Sequence, residues 1–224
     1  MRENLTHVIE DYLKTIYDLT ADSGRATTNQ IAERMGVTPA SVTNMIQKLA
    51  ATDPPLLEYR KHRGVVLTEE GEKVALEILR HHRLLEMFLH QTLGYRWDEV
   101  HEEADRLEHV ISEEFEERIA ERLGNPRQDP HGDPIPTREL ELPDNSTVPL
   151  SEMRPGEQGK VRRVRDTDPD LLRYLSDLGL TPGAKITVLD FSPFDHNLRL
   201  RVEGKDEAAV LGPNVTHQVF VEVV

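Results

Sequence analysis

The chain has 224 residues, 37% of them hydrophobic and 5% aromatic, enough for two or three small domains with cores of their own. It contains no cysteine, which excludes disulfides, zinc–thiolate sites and thiol catalysis. A formal net charge of −14 argues at first sight against a nucleic-acid partner, but the charge is uneven: residues 1–72 carry 8 basic and 11 acidic side chains, 73–142 carry 9 and 17, and 143–224 carry 10 and 13. The opening Met1-Arg2-Glu3-Asn4-Leu5-Thr6-His7 is too polar for a signal peptide, and no apolar run approaches the length of a membrane span, so a cytoplasmic location is expected.

Residues 4–22 carry Leu5, Val8, Ile9, Tyr12, Leu13, Ile16, Tyr17 and Leu19 at helical spacing, and Asp22-Ser23-Gly24 ends the pattern. Thr28 is expected to cap a short helix through Met35, and Gly36-Val37 to turn into a second that opens with Thr38-Pro39 and runs to Ala51. Two short helices about a glycine turn form a helix-turn-helix pattern. Thr38, Ser41, Thr43 and Asn44 stand at the exposed start of its second helix, where hydroxyls and an amide read base edges. After Pro54-Pro55, the run Leu56 to Thr68 reads as a hairpin with a basic tip, the wing, whose Arg60, Lys61 and Arg63 join Lys48 as phosphate contacts.

A long helix is expected from Glu69 to about Leu93, a second from about Glu99 to Ile111, and a third from Ser112 to Leu123. Their apolar residues, including Leu76, Leu79, Leu84, Leu85, Phe88, Trp97, Val100 and Leu107, exceed what a small helical hairpin buries, which suits a homodimer. Residues 124–150, rich in proline, glycine and aspartate, have the composition of a tether. Beyond them five short strands and a helix at Pro169 to Leu178 predict a small barrel. The domains expected are 1–72, a winged helix-turn-helix; 73–142, a helical metal-binding and dimerisation domain; 143–150, a linker; and 151–224, the barrel, making the fold mainly α with a small β part.

His82 and Glu86 are one helical turn apart, and on a continuous helix His101, Asp105, Glu108 and His109 fall within roughly a 100° arc. Val100, Ala104, Leu107 and Ile111 occupy the neighbouring arc, which sets these side chains at the edge of a packed face. Imidazoles and carboxylates gathered without sulfur suit a hard divalent first-row ion. The alternative from the residues alone is a solvated acidic face.

In this order, Val8-Ile9-Glu10-Asp11-Tyr12-Leu13-Lys14-Thr15-Ile16-Tyr17, the helix-turn-helix, His82-Arg83-Leu84-Leu85-Glu86, the segment Val100 to Val110 and Gly132-Asp133-Pro134-Ile135-Pro136 resemble the diphtheria-toxin-repressor family of metal-dependent regulators, in its long form. The resemblance implies a C-terminal SH3-like (FeoA-like) domain and two metal sites per subunit. His82, Glu86 and His101 would form one, with Asp168 of the barrel in reach; Asp11, Asp105, Glu108 and His109 would form the other. Asp11 and Asp105 stand where iron-type members carry methionine and cysteine, which favours Mn²⁺ first and Fe²⁺ second. Lys14 stands where manganese-type members often carry a glutamate ligand, so a paired manganese centre of that kind is not expected. The implied function is a repressor of metal-homeostasis genes that binds operator DNA as a homodimer, with no membrane and no small organic substrate. A metallohydrolase is disfavoured by the lack of a His-Glu-x-x-His run, and the remaining rival is a metal-independent winged-helix regulator that senses an organic ligand.

Overall fold

A computed structural model describes residues 5–60, 64–143, 146–165 and 168–224. They gather into two compact units, one of Met1–His81, Glu108–Val110 and Pro136–Glu141, the other of His82–Leu107, Ile111–Ile135 and Leu142–Val224.

The first unit opens with α1 (His7–Ser23), which stops where Gly24 takes a left-handed φ of 73° and returns its N–H to the Thr20 carbonyl. Helix α2 (Thr28–Met35) is capped one residue earlier than expected. Gln30 lies three residues beyond Thr27, so each side chain bonds the other's backbone N–H and a reciprocal box forms there. Helix α3 (Pro39–Ala50) follows, with Thr38 as its cap. Strands β1 (Leu57–Arg60) and β2 (Gly64–Leu67) pair antiparallel in the register Leu57↔Leu67 to Arg60↔Gly64. The wing tip, with Lys61 and Arg63, lies outside the described residues. Leu13, Ile16, Ile31, Val42, Leu49 and Val65 are fully buried together, and each such side chain contributes about 1.5–3 kcal/mol. Helix α4 (Glu69–Leu93) starts in this unit.

The second unit holds the rest of α4, with α5 (Val100–Leu107) and α6 (Glu113–Arg122), around Leu84, Leu85, Leu89, Val100, Ala104, Ile119 and Ile135. Helix α5 ends four residues sooner than its periodicity predicts. Val110 and Ile111 are β-branched, and Ser112 accepts from Phe115 N as the cap of α6, so residues 108–110 form a turn. Glu108 and His109 therefore do not continue the arc of Asp105.

Strands β3 (Val148–Pro149), β4 (Gln158–Val164), β5 (Lys185–Phe191), β6 (Leu198–Val202), β7 (Ala209–Leu211) and β8 (Val219–Val223) form one antiparallel sheet in the order β3-β8-β4-β5-β6-β7. Helices α7 (Pro169–Leu178) and α8 (Pro213–Thr216) lie along the same segment. Six strands replace the expected five, because Val148–Pro149 pairs with Val221 and Phe220 in a stretch that composition marked as linker.

The tether reading fails for residues 129–135. Asp129, His131, Asp133 and Ile135 are buried; Asp129 N bonds the Asp133 carbonyl, and Val164 N bonds the His131 carbonyl. Gly132 makes the close approach: at φ 90° a Cβ there would lie 1.8 Å from the Arg162 carbonyl oxygen, a position only glycine tolerates. Trp97, expected among the surplus apolar residues of the helical domain, instead packs with Leu150, Val161, Leu172, Leu198 and Val221 in the core of the sheet.

Candidate metal and nucleic-acid sites

Helix α4 presents His82 and Glu86 one turn apart, and α5 brings His101 to them. His82 Nε2 lies 3.0 Å from Glu86 Oε1 and 3.1 Å from His101 Nδ1, which is itself 3.2 Å from the same carboxylate oxygen. Three donor atoms, each about 3 Å from the other two, have the spacing of adjacent ligands around a divalent ion with bonds of about 2.0–2.2 Å. His82 and Glu86 are buried, whereas the His101 side chain is 32% exposed, which leaves an approach from solvent.

Asp105 stands behind both imidazoles. Its Oδ1 is 3.2 Å from His82 Nδ1 and its Oδ2 is 3.7 Å from His101 Nε2, so the outer nitrogens face a carboxylate and the inner lone pairs converge. Within its own unit Asp105 thus stands with His82 and His101. Burial pushes the Glu86 carboxyl up, but the His82 charge, hydrogen bonds with His101 and His82, and the His131 imidazole 3.6 Å away outweigh it and hold the group well below the usual carboxylate range. The donor set fits a divalent cation, because lone pairs of two imidazoles and an ionised carboxylate meet where only a proton or a metal relieves their repulsion.

Asp168 does not join this group. It is exposed, and its Oδ1 caps α7 by accepting from Asp170 N at 2.9 Å and Leu171 N at 3.3 Å. Among the described residues no cluster of ligand-type side chains includes it.

A second group forms in the first unit. His109 Nε2 is 2.9 Å from Asp11 Oδ1 and 3.4 Å from Glu108 Oε1, while its Nδ1 is 2.7 Å from Glu10 Oε2. Lys14 Nζ holds both Glu108 oxygens, at 3.0 and 2.8 Å, and His7 stacks on the His109 ring at 4.8 Å. Burial lowers the His109 pKa, but hydrogen bonds to Asp11 and Glu10 and the charges of Glu108 and Asp11 prevail and raise it above its ordinary value. One oxygen each from Asp11 and Glu108 and one ring nitrogen of His109 lie within 4.8 Å of one another, again a set suited to a hard cation.

Sequence reading placed Lys14 only where relatives carry a glutamate ligand, and missed Glu10 as part of this group. Glu10 is 3% exposed, and its burial on an α1 face that also carries Asp11 is a tertiary fact. His81 was also passed over; it is fully buried and donates from Nδ1 to the Glu108 carbonyl at 3.1 Å, bracing the turn that carries the ligands.

On α3, three of the four expected base readers have local partners. Thr38 Oγ1 accepts from Ser41 N at 3.2 Å and lies 2.9 Å from Ser41 Oγ, while Thr43 Oγ1 donates to the Pro39 carbonyl at 2.9 Å. Asn44 and Lys48 are exposed on one face with Gln47, an amide the sequence reading did not single out though it lies three residues from Asn44. Arg60 is 67% exposed on β1, with Nη2 3.4 Å from Glu58 Oε2. Among the described residues no helix is long and apolar enough to cross a membrane.

Three family models match in chain order: "Iron dependent repressor, N-terminal DNA binding domain" over residues 4–65, "Iron dependent repressor, metal binding and dimerisation domain" over 68–137, and "FeoA domain" over 148–223. The iron-dependent repressor IdeR of Mycobacterium leprae is 35% identical over 235 residues, 99% of each chain. The diphtheria toxin repressor of Corynebacterium diphtheriae is 27% identical over 230 residues, 98% of this chain and 99% of that one. Among solved structures, a "Manganese-dependent transcriptional repressor complex with manganese" superposes with a TM-score of 0.88 at 37% identity, covering 96% of this chain and 100% of that one. ScaR with bound Cd²⁺ gives 0.82 at 38% identity, covering 96% and 98%.

Proposed function

This chain belongs to the iron-dependent repressor family that includes the diphtheria toxin repressor, and on that premise we propose that it is a cytoplasmic, divalent-metal-dependent repressor that grips operator DNA as a homodimer. It acts by binding and turns over no substrate. The observation that carries this reading is the meeting of Asp11, on the first helix of the DNA-reading module, with Glu108 and His109 on the turn that follows α5.

His82, Glu86 and His101 would hold one cation, with Asp105 orienting the imidazoles, and Asp11, Glu108 and His109 would hold another. A bound divalent cation would supply fixed positive charge and directional bonds to carboxylates that face the His109 ring and the Lys14 ammonium in the metal-free chain. Mn²⁺ comes first and Fe²⁺ second, since the donors are nitrogen and oxygen without sulfur. Asp11 then ties α1 to the 108–110 turn, which restricts the swing of α1 and of the helix-turn-helix behind it. In a homodimer this matches the two α3 helices to major grooves about 34–36 Å apart. Asn44, Gln47 and Lys48 face the groove, and Arg60 binds phosphate. Coupling of this kind is reciprocal, so operator DNA tightens metal binding by the factor by which metal tightens DNA.

The test is fluorescence anisotropy of labelled DNA from upstream of metal-uptake genes, titrated with chain stripped by chelator and then supplied with Mn²⁺, Fe²⁺ or Zn²⁺. Tight binding is expected only with metal, and Asp11→Ala is expected to abolish it while sedimentation still reports a dimer. Operator binding that survives chelator unchanged would overturn the reading in favour of a metal-independent regulator.

A further inference from the structure

Beneath the His82–Glu86–His101 triangle lies a second, fully enclosed cluster. Glu86 and His131 are 0% exposed and Asp129 is 4% exposed. His131 Nε2 is 2.7 Å from the Trp97 carbonyl, which can only accept, so this nitrogen carries the hydrogen. The other nitrogen, Nδ1, points at carboxylates: Glu86 Oε2 at 3.6 Å and Asp129 Oδ1 at 4.0 Å. A ring held by its far N–H on a backbone carbonyl, with its near nitrogen aimed at anions, has the arrangement of a metal-ligating histidine.

The carboxylates are equally committed. Asp129 Oδ1 accepts the backbone N–H groups of His131 at 2.8 Å and Asp133 at 2.9 Å, whereas Asp129 Oδ2 and Glu86 Oε2 are buried with no hydrogen-bond partner among the described residues. Two buried carboxylate oxygens left without a donor are costly unless something positive sits between them. The nearby arginines are engaged chiefly with Asp133 and donate no hydrogen bond to either of these oxygens among the described residues. Arg83 and Arg163 converge on Asp133 at 3.7 and 3.0 Å, and Arg83 Nε stays 3.9 Å from Asp129 Oδ2.

We propose that Glu86, Asp129 and His131 form a third divalent-metal site, adjoining the first and joined to it by the Glu86 carboxylate, which turns Oε1 to His82 and His101 and Oε2 to His131. The candidate ligand atoms lie within 4.8 Å of one another, and the 129–135 segment that carries two of the ligands is pressed on β4 at Gly132. One nitrogen and several carboxylate oxygens suit the same hard first-row ions as the neighbouring site, and a carboxylate bridge is the usual link in paired-metal centres. The proposal rests on the reading of His82, Glu86 and His101 as ligands, because Glu86 belongs to both.

The test is equilibrium dialysis of the full-length, chelator-stripped chain against Mn²⁺, with ions per chain counted by elemental analysis. Wild type is expected to take three ions, and Asp129→Asn, which keeps the Oδ1 acceptor, is expected to take two. His131→Phe, which keeps the ring that stacks on Trp97 at 5.7 Å, is expected to do the same. Crystals of the wild-type chain grown with Mn²⁺ are expected to show an anomalous peak within bonding distance of Glu86 Oε2 and His131 Nδ1, a readout independent of whether either variant folds. Two ions per wild-type chain, lost one at a time in His101→Ala and Asp11→Ala, with no peak at His131, would overturn the third site alone. No bound ion at all would overturn it together with the functional reading.

Discussion

Replacing Lys14 by methionine separates the energetics of the α1 group from its geometry. Lys14 Nζ lies 2.8 and 3.0 Å from the two Glu108 oxygens, and the side chains are 14% and 1% exposed, so this is a buried ion pair rather than a surface one. Removing one partner of such a pair costs about 3–5 kcal/mol, because the remaining charge stays buried. His109 Nε2, 3.4 Å from Glu108 Oε1, keeps part of the compensation, which brings the expected loss to about 2 kcal/mol of metal-free stability. A cation bound to Glu108 takes over the role of the ammonium, so the metal-loaded chain loses far less. The thermodynamic cycle then returns the difference as affinity: about 2 kcal/mol is roughly a thirtyfold tighter Mn²⁺. Urea unfolding of the metal-free chain followed by far-ultraviolet circular dichroism reads the first quantity, and competition for Mn²⁺ with a chelator of known affinity reads the second. Unchanged stability with unchanged Mn²⁺ affinity in Lys14→Met would refute the idea that Lys14 occupies the place of a cation.

The pH dependence has a definite sign. His109 is raised from its ordinary 6.5, so its contribution to the metal-free fold is complete below that value and is lost as pH rises through the higher folded pKa. Wild type minus His109→Gln is therefore expected to shrink in stability above about pH 6.5, while Mn²⁺, which must displace that proton, binds more tightly over the same window. A difference that is flat with pH would remove His109 from the linkage. Arg60→Ala is expected to weaken binding to every DNA sequence alike and to lower the slope of log affinity against log salt by about 0.9, the share of one phosphate. A change of base preference in that variant would show that Arg60 reads bases instead.

Much of this molecule was legible one residue at a time. The helix-turn-helix, the wing strands, α4 and α7 follow from local periodicity, the Thr38-Pro39 start and glycine stops, since those signals act over a few neighbouring residues. The pairing of His82 with Glu86 is equally local, being one turn of one helix. Asp168 as a cap of α7 was also readable, because an aspartate before Pro169 offers its carboxylate to the first free N–H groups. What local signals could not supply was the early end of α5. Helical periodicity cannot see that Ser112 captures the next N-terminus, which leaves Glu108 and His109 on a turn beside Asp11.

The sequence by itself determined which side chains are available to a hard cation and to DNA, because residue chemistry and short-range spacing travel with the chain. Tertiary structure alone decided how they are grouped. Lys14 and Glu108 are 94 residues apart, and Glu10 and His109 are 99 apart. The proline- and glycine-rich stretch around His131 acquires order only because Gly132 lets it lie against the β4 backbone, where burial gives its charges a meaning that composition does not carry.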